Sequence, residues 1–161
     1  MKNRKRLAIA FGWGVLATAA MSIPMIIATV TGVAPMPKPI PAALVAVVFG
    51  PGLPKPMHLL LAVVSHLAYG GIWALILAAV TKRVTIWKGL SLGAFLWLLM
   101  QLIVLPMLGW GLFGTAVTPK IAVATLVLHL IYGATLGGLM GWADKRDRNG
   151  NALDGKRCRE P

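Results

Sequence analysis

Acidic side chains are nearly absent from this sequence. Only four of its 161 residues are Asp or Glu, and all four stand at or beyond Asp144. Paired carboxylates for general acid–base or glycosidic chemistry are thereby excluded from the first 143 positions. Cysteine is scarcer still. The single Cys158 rules out a disulfide within the chain, and Cys158-Arg159-Glu160-Pro161 is a poor prenylation box because both middle positions are charged. There is no phosphate-cradling glycine loop and no nucleophile beside a base, so no catalytic residue is assigned and an enzyme is not expected. Met36, Met57, His58 and Met107 could gather as soft ligands for copper(I). They form no M-x-x-M or H-x-x-H box, and methionine is more often plastic filling, so no metal site is assigned.

Charge is thin as well, at 12% of residues against roughly 25% in an ordinary soluble domain. Hydrophobic residues make up 58% and the mean hydropathy is +0.78, the balance of a protein that lives in a lipid bilayer. The net charge of +12 would suit nucleic acid, but its placement decides otherwise. Of 16 Lys and Arg, four lie in residues 2–6, three in 82–88 and six in 145–159, all flanking apolar runs. A nucleic-acid reader would interleave aromatic or polar groups with its basic patch, and this chain does not, so no nucleic-acid partner is expected.

The basic residues 1–6 precede 28 uncharged ones from Leu7 to Ala34. With Ala17-Thr18-Ala19 this start resembles a signal peptide cleaved near residue 19. The apolar run continues past that site, however, and exceeds the roughly 20 residues that cross a bilayer. An uncleaved first span over about residues 7–32 is the expectation, with Pro24 and Gly32 kinking or ending it. Residues 35–56 are rich in proline around Ala42–Phe49, a stretch that rises only about 12 Å as a helix. Segment 41–50 is expected to lie on the outer surface; the alternative is a re-entrant half-helix lining a cavity. Further spans follow at about 57–81, 89–108 and 120–143, with Gly109–Gly114 as an interfacial turn that seats Trp110 at the boundary. Residues 1–143 then form an all-α membrane domain of four transmembrane helices, and 144–161 a polar cytoplasmic tail expected to be disordered. Four spans put both termini and the 82–88 loop on one side. That side holds 13 of the Lys and Arg, against Lys38, Lys55 and Lys120 on the other, which implies an N-in, C-in orientation.

Val64-Ser65-His66-Leu67-Ala68-Tyr69-Gly70 returns as Val127-Leu128-His129-Leu130-Ile131-Tyr132-Gly133, and the same offset lays Pro56 on Pro119 and Lys82-Arg83 on Lys145-Arg146. A fainter echo matches Pro24-Met25 with Pro106-Met107. The pattern reads as an internal repeat of two helical hairpins, related in parallel about the membrane normal.

His66 and His129 each fall ten residues after the proline that begins a span, about 15 Å along the helix and near mid-bilayer. Tyr69 and Tyr132 share the histidine faces at i+3, and Gly70 and Gly133 clear bulk at i+4. Gly133, Gly137 and Gly141 form a four-spaced small face, the close-packing signature of membrane helices. On that reading the histidines hydrogen-bond across the bundle, as Gln101 is expected to do, while Ser65 and Thr125 bond back to their own helices. The alternatives are ligation of haem b by His66 and His129 as axial ligands, with the glycines making room for the porphyrin edge, and a solute conduit between the hairpins. The absence of Asp and Glu from all four spans counts against proton coupling through such a conduit.

The four spans, Ala17-Thr18-Ala19-Ala20-Met21 in the first, the Pro106…Gly109-Trp110-Gly111 turn and the closing His129-Leu130-Ile131-Tyr132-Gly133…Leu136-Gly137 resemble a family of small four-helix prokaryotic integral membrane proteins of unknown function. The resemblance implies a multi-pass protein of the prokaryotic cytoplasmic (inner) membrane and transfers no catalytic residue or ligand. The leading expectation is therefore a non-enzymatic scaffold or accessory subunit whose partners are the bilayer, itself or a larger membrane complex.

Overall fold

A computed structural model describes residues 3–50 and 52–157 of the chain; Cys158 lies outside them. Every regular element among the described residues is helical. The elements run α1 (Asn3–Val30), α2 (Ile40–Phe49), α3 (Lys55–Val80), α4 (Ile86–Met107) and α5 (Lys120–Arg157). Four of them, all but α2, are long and apolar enough to cross a membrane.

Local chemistry accounts for most of the boundaries. Prolines sit in the first turns of α2 and α3, where a missing N–H costs nothing. Gly50 ends α2 in a left-handed conformation at φ 72° that a side chain would resist. Thr85 caps α4 by accepting the Lys88 amide. Helix α4 thus starts three residues before the expected 89, because a capping hydroxyl and not the last charge decides its start. Pro24 does not end α1, which continues to Val30 and is closed by the Thr31-Gly32 turn. Pro106 has a stronger effect. It has no N–H to give to the preceding turn, and just before it α4 loosens into a π-helical segment, Met100–Val104, in which the Leu105 amide reaches back to the Met100 carbonyl.

Two antiparallel pairs make up the bundle, α1 against α3 and α4 against α5, and α1 also packs on α5. The buried face of α1 is Ala10, Gly14, Ala17, Thr18 and Met21, a helical spacing of mostly small residues. Its backbone approaches α3 so closely that a β-carbon on Gly14 would meet the Gly70 carbonyl 2.6 Å away. The α4–α5 seam is tighter: β-carbons on Gly89, Gly93 and Gly133 would strike the backbone of the facing helix. Close approach through small residues is how helices associate where lipid tails remove the hydrophobic drive. Polar ties then fix the register. Arg6 donates to the carbonyls of Ala78, Thr81 and Lys82, capping the end of α3 from α1. Trp97 Nε1 donates to the Ala122 carbonyl, and Tyr132 donates across to the Gly70 carbonyl at 2.7 Å.

Three expectations are corrected. Trp110 does not face outward as a residue of an interfacial belt would; it is buried with Ala43, Leu105 and Ile121, where the Gly109–Gly114 turn packs against α2. The segment after Ala143 is not disordered as far as Arg157: α5 runs on through it, since no proline interrupts the chain before Pro161. The small face on α5 also ends early. Gly133 and Gly137 lie against α4, but a β-carbon on Gly141 would meet nothing nearer than the Val84 carbonyl at 3.5 Å.

Candidate functional site

α3 and α4, consecutive in sequence, are not among the closely packed pairs. Between them, toward the end of the bundle that carries α2, the helices leave a cavity of about 270 Å³. Met21 and Met25 of α1, His66 and Tyr69 of α3, Leu96 and Met100 of α4, and Thr125 and His129 of α5 line it. Met36 of the connector, Ile40, Pro41 and Leu44 of α2, and Leu128 of α5 also line it. The segment expected on the outer surface thus supplies part of the cavity wall.

The two span histidines come together at this cavity, and a second, smaller void at its floor touches both of them with Thr18, Gly70 and Tyr132. Their surroundings differ. The Nδ1 of His129 lies 2.8 Å from the Thr125 carbonyl one turn earlier. A carbonyl only accepts, so Nδ1 carries the proton and Nε2 keeps its lone pair. The carbonyl one turn before His66, that of Ala62, accepts instead from Ser65 Oγ at 3.2 Å, and His66 Nε2 is buried without a hydrogen-bond partner.

The tyrosines diverge further. Tyr132 is 2% exposed and hydrogen-bonded, whereas Tyr69 is 41% exposed and stacks edge-on against Trp73. Tyr69 thus touches the cavity from its rim and is not part of a buried polar core. Gln101 is wholly buried in the π-helical turn and donates to Thr125 Oγ1 across the α4–α5 seam, leaving Oε1 without a partner. Thr125 and Ser65 both bond back to their own helices as expected.

Helix packing takes up the room cleared by the glycines. A β-carbon on Gly70 would collide with Thr18 Oγ1, and one on Gly133 with the Gly89 carbonyl. Any ligand at the histidines must occupy the cavity itself. The methionines on its wall were not apparent in sequence. Of the soft-ligand group suggested by position, only Met36 reaches the cavity. Met21 and Met25 were detectable in principle, since an i, i+4 pair shares one helical face; Met100 is placed by the π-helical turn, which pattern alone does not reveal. Among the described residues no three His, Cys, Asp or Glu are grouped to hold a metal ion.

Fold and site together define a small helical bundle of membrane-spanning length with a histidine-bearing apolar cavity between its two helix pairs. Residues 4–150 match the family of unknown function DUF6789, and the chain belongs to that family. Neither the curated proteins nor the solved structures contain a significant match.

Proposed function

We propose that this chain is a non-enzymatic accessory subunit of a prokaryotic cytoplasmic membrane, and that it holds a small ligand in the cavity between its helix pairs. The observation that carries this reading is the convergence of His66 and His129 from two helices onto one apolar cavity. Ligand sites are concave and mostly apolar, with a few placed polar groups, and ionisable side chains at membrane depth are rare outside functional sites. The bundle is read as two parallel hairpin repeats with both termini cytoplasmic, which sets the cavity toward the outer leaflet.

Native mass spectrometry of the protein released from detergent tests the reading. The wild type is expected to carry a bound mass that is missing from Leu128→Trp, in which an indole fills the cavity. Identical spectra for the two proteins, with unchanged thermal unfolding, would remove the ligand site and leave a packing scaffold. Haem b is the second reading, favoured by the shared cavity of the two imidazoles. It requires a Soret band in the purified protein that is lost in His66→Ala.

A further inference from the structure

Four of the eight methionines, Met21, Met25, Met36 and Met100, line the same cavity as the two span histidines. Methionine is usually the filler of irregular gaps, yet these four surround about 270 Å³ of open space. They come from three separate segments: α1, the connector and the π-helical turn of α4. The imidazoles add two nitrogen donors. His129 gives its Nδ1 proton to a backbone carbonyl, the arrangement that typically orients a metal-bound histidine and leaves Nε2 as the ligand atom. His66 Nε2 is buried and unpartnered. Among the described residues no carboxylate or thiolate lines the cavity.

That donor set is chemically selective. Every candidate ligand is neutral, so a divalent ion would keep its full charge in an apolar site, whereas a monovalent one leaves half as much. Thioethers are soft ligands that favour copper(I), and imidazole accepts it as well. We propose that the cavity binds one copper(I) ion, held by Nε2 of His66 and His129 with thioether sulfur from Met21, Met25 or Met100, and that Met36 in the connector is the soft donor on the path in. This assignment rests on the cavity being the ligand site proposed above and names its ligand.

The test is a competition titration of the detergent-purified protein. Copper(I) is kept reduced under anaerobic conditions, with bathocuproine disulfonate as the competing chelator. The wild type should withhold one copper(I) per chain. His66→Ala/His129→Ala should lose at least about tenfold in affinity. So should Met21→Leu/Met25→Leu/Met100→Leu, whose near-equal side-chain volumes preserve packing; this variant carries the test alone if the histidine variant fails to fold.

A wild type that surrenders all its copper overturns the assignment. So does binding unchanged in both variants, which would locate the metal at donors outside the cavity such as His58 and Met57. A haem-loaded wild type would also overturn it, because the imidazoles would then serve iron. If the wild type takes no copper but still carries a mass lost in Leu128→Trp, the copper site falls and the ligand cavity stands. If neither is seen, both fall.

Discussion

A β-carbon at Gly70 would run into the hydroxyl of Thr18, and that hydroxyl cannot turn aside freely. It donates to the Gly14 carbonyl at 2.8 Å, and a β-branched side chain in a helix has few alternative rotamers. At Gly89 the obstacle is the carbonyl of Gly133, which no rotamer change can move. Gly138 is only five residues from Gly133, yet it faces open space with nothing within 4 Å. The three alanine substitutions should therefore separate. Gly70→Ala and Gly89→Ala are expected to destabilise by about 1–3 kcal/mol through overpacking. Gly138→Ala should be neutral or stabilise by up to about 1 kcal/mol, because alanine is the better helix former. Thermal unfolding in detergent reads all three; equal midpoints would mean that the seams are looser than the backbone contacts indicate. The glycines also show where sequence reading stops. Gly133 and Gly137 stood out as a four-spaced pair, but Gly89 and Gly93 carry the same spacing and are their packing partners. Nothing in an all-apolar helix indicates which of its faces meets a neighbour.

At the level of elements, the ends of the helices hold more information than their interiors. Arg6 belongs to a basic cluster that reads as a simple topological signal, yet its guanidinium donates to the Ala78 carbonyl in the last turn of α3, which the helix itself leaves unpaired, and to those of Thr81 and Lys82 just past its end. Arg6→Ala should cost about 1–2 kcal/mol, at or just below the lower end of the range for charged hydrogen bonds because the site is partly exposed. Arg6→Lys should recover part of that loss, having the charge without the planar fork. An Arg6→Ala midpoint equal to wild type would show the cap to be idle. The number and approximate length of the long apolar helices were legible, because about 20 apolar residues between basic flanks are enough to form a helix of bilayer-crossing length. The long helices pack as the pairs α1–α3 and α4–α5. The start of α4 at Ile86 and the π-helical turn were not legible. Each depends on one side chain, the Thr85 hydroxyl or the Pro106 ring, acting on the backbone beside it. The histidine pair was visible as a spacing, but its methionine surround needed the positions of three other segments.

For the whole molecule, the distribution of charge opposes the two ends of the bundle. Arg6, Lys82, Arg83, Lys88, Lys145 and Arg146 gather where α1 begins and α3 and its loop end, and Lys38, Lys55 and Lys120 lie at the α2 end. If the four long helices cross a bilayer, the positive-inside rule places the basic end in the cytoplasm. Single cysteines in a Cys158→Ser background test this directly, since Thr85 and Val117 are both exposed and lie at opposite ends of the α4–α5 pair. In intact cells, a membrane-impermeant maleimide should label Val117→Cys and leave Thr85→Cys unmodified until the membrane is opened. Labelling of Thr85→Cys alone would invert the orientation and turn the cavity toward the cytoplasm. Labelling of both in intact cells would mean that the Thr85 loop and Val117 share one side, which four full crossings do not allow. The choice of ligand depends on the same result. A cavity reached from outside would meet copper before cytoplasmic thiols could sequester it, whereas one opening inward would compete with those thiols for every ion.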